Sequence, residues 1–403
     1  MTYRTSTSLI ALALALAGCS GGSNTNATSA SIAAVPVTTT TTPPATASLP
    51  GASALLTIDF NNLAEYGAPT LPVYYDATVT ALDNTPNNNA ISNRIATLGR
   101  VLFWDRQLSV NAGISCASCH RQAFGFDDPN RFSTGFSGAQ FTTAHAMRLG
   151  NVRYWRPGTM FWDRRAASVE AQASQPIINP IELGWDAGAG GINALVARLQ
   201  ALPYYQELFA FAFGSSVVSE ARITQALAQF ERAMISSNSR WDTAYAQVFS
   251  ATAQNRALNV TLPGFTDQEN RGRQLFMTGP AGGGAGCSSC HQPPTFALAA
   301  NSQSNGLDAG ETRIFKAPSL KNVGLSKAYM HDGRFATLDE VVEFYNSGIQ
   351  LGPALDNRLK APGGAAPLRL NLTAADKAAL VAFLQTLNDP VLVGDPRFTS
   401  PFK

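Results

Sequence analysis

With 403 residues, 45% of them hydrophobic and only 14% charged, the chain has enough apolar material for a sizeable core and enough length for two domains. A formal net charge of +2, with no run of lysine or arginine, excludes the basic footprint of a nucleic-acid binder.

The N-terminus reads as an export signal. Arg4 supplies positive charge, and the apolar run from Leu9 to Ala17 is too short to span a bilayer as a helix. It ends in Leu16-Ala17-Gly18-Cys19, which looks like a bacterial lipobox, so residues 1–19 are expected to be a lipoprotein signal peptide with Cys19 lipidated. The rest of the chain is then expected on the periplasmic side of the envelope, lipid-anchored at the outer membrane. Residues 20–54 are Ser, Thr, Ala and Pro with little charge or bulk, and such a stretch buries too little surface to offset its ordering entropy. They are expected to be a disordered tether. Two domains follow, an N-terminal one over 55–240 and a C-terminal one over 241–403.

There are five cysteines and four histidines. Apart from Cys19, the cysteines form two pairs, CASCH from Cys116 to His120 and CSSCH from Cys287 to His291. A disulfide, a redox dithiol, half a zinc site and a haem anchor all compete for such a motif. A redox dithiol belongs in a βαβ setting that neither copy has, and adjacent Cys-His gives poor separation for two ligands on one zinc. Haem c needs this order: two thiolates add to the vinyl groups, and the next residue is then placed to ligate iron. Two haems c are therefore predicted, attached at Cys116 and Cys119 and at Cys287 and Cys290, with His120 and His291 as iron ligands.

The motifs lie inside an internal repeat. GRVLF (99–103) precedes the first, within the amphipathic stretch ISNRIATLGRVLFWD, and GRQLF (272–276) precedes the second, within TDQENRGRQLFMT. Thr266 and Glu269 have capping-box spacing. ALAQF (226–230) and ALVAF (379–383) occupy comparable later helices. Each unit reads helix, haem loop, longer loops and closing helix. The predicted fold class is mostly α: two cytochrome c-like helical domains, each around one covalently bound haem c, with long loops and few strands.

Between the units lies NVRYWRPGTMFWDRRAASVEAQASQPIINPIELG (151–184). Carboxylates and aromatics are common in any loop, so pattern alone does not single out a catalytic residue there. The paired CxxCH units, FWDRRA (161–166), Gln172, NPIE (179–182) and KAPSLKNVGLSKAYMHDGRFATLDEVVEFYNSG (316–348) together resemble the bacterial diheme cytochrome c peroxidase and MauG-like family, from about residue 90 to 390.

The resemblance implies an enzyme that reduces hydrogen peroxide with electrons from a small cytochrome c or cupredoxin. His120 would ligate the peroxidatic N-terminal haem, and His291 the electron-relaying C-terminal one. Trp162 matches the tryptophan between the haems, and Gln172 and Glu182 match the distal-pocket pair. Glu182 is the candidate acid-base group, since a carboxylate in an apolar haem pocket has a raised pKa suited to shuttling a proton. Gln172 is expected to orient peroxide. At the second haem, where the peroxidases proper carry a methionine ligand, Tyr345 stands in the corresponding place, as in MauG-like enzymes. The alternative is a packed tyrosine with Met330 as ligand. His331 is expected to organise hydrogen bonds at the haem interface. His145 is a candidate distal ligand of the first iron. It falls near the place of the Arg-Asn pair that the family associates with inter-haem calcium, and AHAMRLGN lacks that pair. Calcium between the haems, with Ser326 and Ala328 as carbonyl donors, is thus one more expectation, and homodimerisation is another. Two alternatives stay open: peroxide-dependent oxidation of residues on a partner protein, as in MauG, and non-enzymatic electron carriage.

Overall fold

Each half of the chain is built on one crossed pair of helices, and the same residue types make the crossing twice. In the computed structural model, which describes residues 49–403, helix Asn93–Trp104 packs on helix Glu220–Arg232, and helix Asp267–Met277 on helix Ala374–Gln385. Gly99 lies so close to its partner helix that an added Cβ would stand 2.0 Å from the Ala226 carbonyl oxygen, and at Gly272 the distance to the Ala379 oxygen would be 1.8 Å. One turn on, Phe103 meets Phe230 with ring centroids 5.3 Å apart, and Phe276 meets Phe383 at 5.2 Å. The two pentapeptide pairs of the sequence repeat are therefore two copies of one helix contact: glycine admits the backbone, and the phenylalanines fill the space beside it.

The caps follow the sequence. Thr266 and Glu269 form the expected reciprocal box, with the Thr266 amide 2.8 Å from Glu269 Oε2 and the Glu269 amide 3.2 Å from Thr266 Oγ1. Ser219 and Thr373 cap the two closing helices through Arg222 N and Asp376 N. Among the described residues the only paired strands are His291–Gln292 and Ala297–Leu298, so the mostly helical, strand-poor architecture is as predicted. No helix among these residues is long and apolar enough to cross a membrane.

Residues 1–48, with the signal segment, Cys19 and most of the expected tether, lie outside the described residues. The far end of that tether needs correction. Residues Pro50–Leu55 form a helix with Ala52 fully buried, because the Glu207 carboxylate accepts the Gly51 and Ala52 amides at 3.1 and 2.8 Å. A carboxylate at a helix start satisfies amides with no partner within the helix and suits the dipole.

Two large apolar cores result, and each takes in a segment from the other end of the chain. The first gathers Leu98, Val101, Phe103, Leu208 and Phe230, and it also includes Leu392 and Phe398. The second gathers Trp241, Tyr245, Phe276, Phe296 and Phe383, and includes Tyr74 and Val79. The C-terminal segment is held by Thr57 N to Pro401 O (2.8 Å), Tyr66 Oη to Arg397 O (2.8 Å) and Trp104 Nε1 to Phe398 O (3.1 Å).

Within the first half, Arg232 forms a two-pronged pair with Glu170, at 2.6 and 3.0 Å, and Asn89 donates to the same carboxylate at 2.8 Å. Burial alone would raise the Glu170 pKa, but Arg232 and Asn89 hold it down to about 2, against 4.5 for a free glutamate. Because the folded value is the lower one, the stabilisation is complete above about pH 5 and is lost as pH falls toward 2. We expect Glu170→Gln, which strands a buried guanidinium, to cost roughly 3–5 kcal/mol at neutral pH and to flatten the acid limb. Urea unfolding across a pH series checks this; a variant as stable as its parent would remove the pair from the list of stabilising contacts.

Candidate active site

The first CxxCH starts a single helical turn, Cys116–Cys119, closed by Ser115 and Ser118, whose side chains each accept the other's amide. Residues three apart share a face of such a turn, which suits two thioether bonds to one porphyrin. The chain then reverses through Gly125 and Phe126, both in the left-handed region at φ 69° and 64°. That reversal brings the Phe126 carbonyl oxygen to 3.1 Å from His120 Nδ1. An Nδ1–H donated to a carbonyl leaves Nε2 with the lone pair, the arrangement typical of a metal-ligating histidine. Burial lowers the His120 pKa, which favours the neutral, coordinating form.

Glu182 is brought to this motif by local turn chemistry. The Asn179 side-chain oxygen accepts the amides of Ile181 (2.8 Å) and Glu182 (3.1 Å), and Pro180 presets the bend between them. Phe136 N then donates to the Glu182 carbonyl at 3.1 Å. The carboxylate is half-buried and makes no hydrogen bond among the described residues. Burial raises its pKa, with Arg165 opposing. Both thiols of the first motif are pushed up by burial, and the nearby Glu182 charge adds to the rise in each. Gln172 stands half-buried on helix Val169–Ile178, the helix that leads into the Asn179 turn.

The second CxxCH opens onto a cavity of about 450 Å³ lined by Cys287, Cys290, His291, Trp162, Met330 and Tyr345. His291 is half-buried, and its Nδ1 is buried with no hydrogen-bond partner among the described residues. Burial, then the charges of Arg148 and Arg358, hold its pKa down to about 4, so the imidazole is neutral. A volume of this size, mostly apolar, with two thiols and a neutral imidazole on its wall, fits a covalently attached haem.

Tyr345 and Met330 reach this cavity together. A π-turn over Phe344–Gly348 follows helix Leu338–Glu343, and Met330 takes the left-handed conformation at φ 72°. The Asn305 amide nitrogen lies 3.5 Å from Tyr345 Oη and 3.4 Å from Met330 Sδ, so one donor attends both candidate ligands. Burial pushes the Tyr345 hydroxyl up to about 12. The Asn305 contact was not anticipated from sequence.

Trp162 joins the halves. Its Nε1 donates to the His145 carbonyl at 2.8 Å, and its own carbonyl accepts the Lys316 amide at 2.7 Å. His331 lies beside it, ring centroids 6.4 Å apart, stacked on Phe315 at 4.4 Å. The His331 carbonyl accepts the His145 amide at 2.9 Å, so its contacts at this junction are a ring stack and one backbone bond.

His145 sits in a buried charged cluster. Its Nδ1 is 3.1 Å from Arg131 O, and its Nε2 is 3.0 Å from Asp127 Oδ1. Burial works against its charged form, but Asp127 overrides it and the pKa is raised. Only Nδ1 makes a hydrogen bond; Nε2 is buried against the Asp127 carboxylate without one, so in this conformation the ring is the buried ion-pair partner of Asp127. Asp127 also meets the Arg148 guanidinium (3.4 Å) and the Ser326 hydroxyl. Asp127 and Arg148 were not singled out in the sequence, because their partners are far along the chain. The Ser326 carbonyl, one expected calcium donor, accepts the Tyr329 hydroxyl at 3.0 Å.

Two haem-binding motifs, one beside a half-buried carboxylate unbonded among the described residues and one facing a tyrosine and a methionine, define a two-haem redox protein. The chain matches the di-haem cytochrome c peroxidase family over residues 93–248 and 267–356. It is 31% identical over 334 residues to the methylamine utilization protein MauG of Methylorubrum extorquens, spanning 77% of this chain and 83% of that one. It is also 31% identical over 267 residues to the cytochrome c551 peroxidase of Nitrosomonas europaea, spanning 62% of this chain and 72% of that one. Among solved structures, a MauG-like protein associated with microbial copper homeostasis superposes with a TM-score of 0.63 at 32% identity, covering 84% of this chain and 98% of that one. The diheme peroxidase BthA of Burkholderia thailandensis shares the fold, with a TM-score of 0.57 at 22% identity, over 84% of this chain and 93% of that one. The chain belongs to the di-haem cytochrome c peroxidase family, carries two haems c and is a peroxidase-type oxidoreductase.

Proposed function

We propose that the protein reduces hydrogen peroxide to water at a haem attached to Cys116 and Cys119, with electrons relayed from a second haem attached to Cys287 and Cys290. The observation that carries this reading is Glu182: a half-buried carboxylate with no hydrogen-bond partner among the described residues, near enough to the first CxxCH for its charge to act on both thiols. A haem held by His120 supplies the redox centre through which electrons reach peroxide. Glu182 takes a proton from one peroxide oxygen and returns it to the other as that oxygen leaves as water. Gln172 orients the substrate by hydrogen bonding, and Trp162, bonded to both halves, lies on the route between the haems. Steady-state turnover of peroxide with a reduced small cytochrome c or cupredoxin tests the reading; a protein with both haems in place and no turnover with either donor would count against it.

Tyr345 supports a second reading, the peroxide-dependent oxidation of residues on a partner protein. A buried phenol on the wall of the second cavity is a hard ligand that favours ferric and higher states, whereas a thioether favours ferrous iron. If Tyr345 ligates, we expect Tyr345→Met to raise the midpoint potential of the second haem by on the order of 100 mV or more, within the ~0.8 V range that axial ligands command. Spectroelectrochemistry checks this, and an unmoved potential would reassign the ligand, with Met330 next in line.

The LAGC segment supports export and lipid anchoring at Cys19 on the periplasmic side of the outer membrane. Homodimerisation rests on the family resemblance. Against an inter-haem calcium stands Arg148, whose guanidinium donates to the Ser326 side chain and already supplies a cation there.

A further inference from the structure

The cavity beside Cys287 and Cys290 contains a buried cation that the function above leaves unused. Three basic side chains line it: Arg148, Arg358 and Lys316. Arg148 is committed to Asp127 (3.4 Å), and Arg358 to Asp356 (2.6 Å). Lys316 has no ion-pair partner among the described residues. It is 4% exposed, and the one polar contact of its Nζ is the Met147 sulfur at 3.2 Å. A thioether is a weak acceptor, and an ammonium carries three N–H donors, so two are left with nothing to meet. The Trp155 ring, 5.7 Å away, offers only its face.

An ammonium group is not left alone in an apolar wall without large cost, because the desolvation of an isolated buried charge exceeds what one sulfur contact returns. Burial accordingly draws the Lys316 pKa down to about 7 in the protein alone, with the charge of Arg164 adding to the effect. The segment that carries Lys316 is held in place by its neighbours: its amide donates to the Trp162 carbonyl at 2.7 Å, and Arg164 Nη2 bonds the adjoining Phe315 carbonyl at 2.9 Å. The position is therefore defined, and the cavity that Lys316 lines is where an anionic partner would meet it. The two acidic groups on the wall, Asp127 and Asp356, are already taken.

We propose that Lys316 is the counter-charge for a carboxylate of the haem held in this cavity, a propionate directed at its Nζ. The inference rests on the reading that a haem is attached at Cys287 and Cys290. A propionate is an anion that an apolar pocket would otherwise exclude, and Lys316 is a cation without an anion, so each removes the desolvation penalty of the other. Because the lysine backbone is bonded to Trp162, the same contact fixes the edge of this haem relative to the indole that joins the two halves. Lys316 is thus a positioning residue that acts through the cofactor's own carboxylate.

The test uses the full diheme protein and the variants Lys316→Met and Lys316→Arg. Peptide mass spectrometry first reports whether haem is present on Cys287 and Cys290; its absence would remove the site reading and the lysine's role with it. With haem present, resonance Raman should show the propionate-bending mode of the second haem shifted in Lys316→Met. The midpoint potential of that haem should fall, since a lost positive charge favours the ferric form, and Lys316→Arg should restore the potential toward the parent while leaving the mode displaced. If Lys316→Met fails to fold, the displaced mode in Lys316→Arg carries the test. An unmoved mode and potential in a haem-loaded variant would overturn the proposal and leave the attachment site standing. Loss of a ligand-field band assignable to amine coordination would overturn it differently, by making the lysine an iron ligand.

Discussion

Glu182→Gln is expected to slow the reaction with peroxide by roughly 10²–10⁴-fold while both haems stay attached, the range a positioned proton shuttle contributes. The amide keeps the shape of the side chain and its place after the Asn179 turn, so the fold has no reason to change. What is lost is the ability to take a proton from one oxygen and deliver it to the other. The pH dependence sharpens the test. Burial raises the Glu182 pKa, so the carboxylate becomes available only above the ordinary glutamate range. In the parent protein the rate should therefore rise with pH through that elevated pKa, and this limb should be missing in the variant. Stopped-flow mixing with peroxide, with haem content measured by mass, decides the matter. A variant with full haem and an undiminished rate would take Glu182 out of the chemistry.

The second large effect concerns stability. Gly272→Ala should cost about 2–4 kcal/mol, even though alanine is the better helix former by ~1 kcal/mol. The added carbon would lie 1.8 Å from the Ala379 carbonyl oxygen and 2.8 Å from Phe383 Cβ. A helix backbone cannot yield locally, so the pair Asp267–Met277 and Ala374–Gln385 must separate, and the Phe276–Phe383 contact loosens with it. Gly99→Ala should do the same in the first half, where the Ala226 oxygen is 2.0 Å away. Gly394→Ala, with nothing within 4 Å of the new carbon, serves as the control and should stay close to the parent. Urea unfolding midpoints report the difference, and equal midpoints for Gly272→Ala and Gly394→Ala would show that the crossing is looser than these distances require.

What the sequence disclosed was local or repeated. The CxxCH motifs and the Thr266–Glu269 box each depend on residues within a few positions of one another, and their spacing survives in the one-dimensional pattern. The paired helices were visible because their motifs occur twice, whereas their crossing at Gly99 and Gly272 came only with the structure. Contacts between distant residues left no such trace. Residues 50–54 read as tether because the carboxylate that caps them, Glu207, lies 155 or more positions away. Nothing in the neighbourhood of His145 announces that its ring sits between Asp127 and the Arg131 carbonyl. Tyr345 and Met330 could not be ranked by pattern, and the structure explains why: both stand at the same Asn305 amide. Lys316 passed unremarked inside the KAPSLKN run because its chemistry consists in lacking a partner, which no spacing encodes.

The exchanged ends of the chain bear on how the protein is made. Leu392 and Phe398 belong to the interior around Leu98, Phe103 and Phe230, so that interior stays unfinished until the final residues have been delivered. The second interior in turn borrows Tyr74 and Val79 from the beginning of the fold, so a chain divided near residue 240 would take packed side chains out of the centre of both pieces.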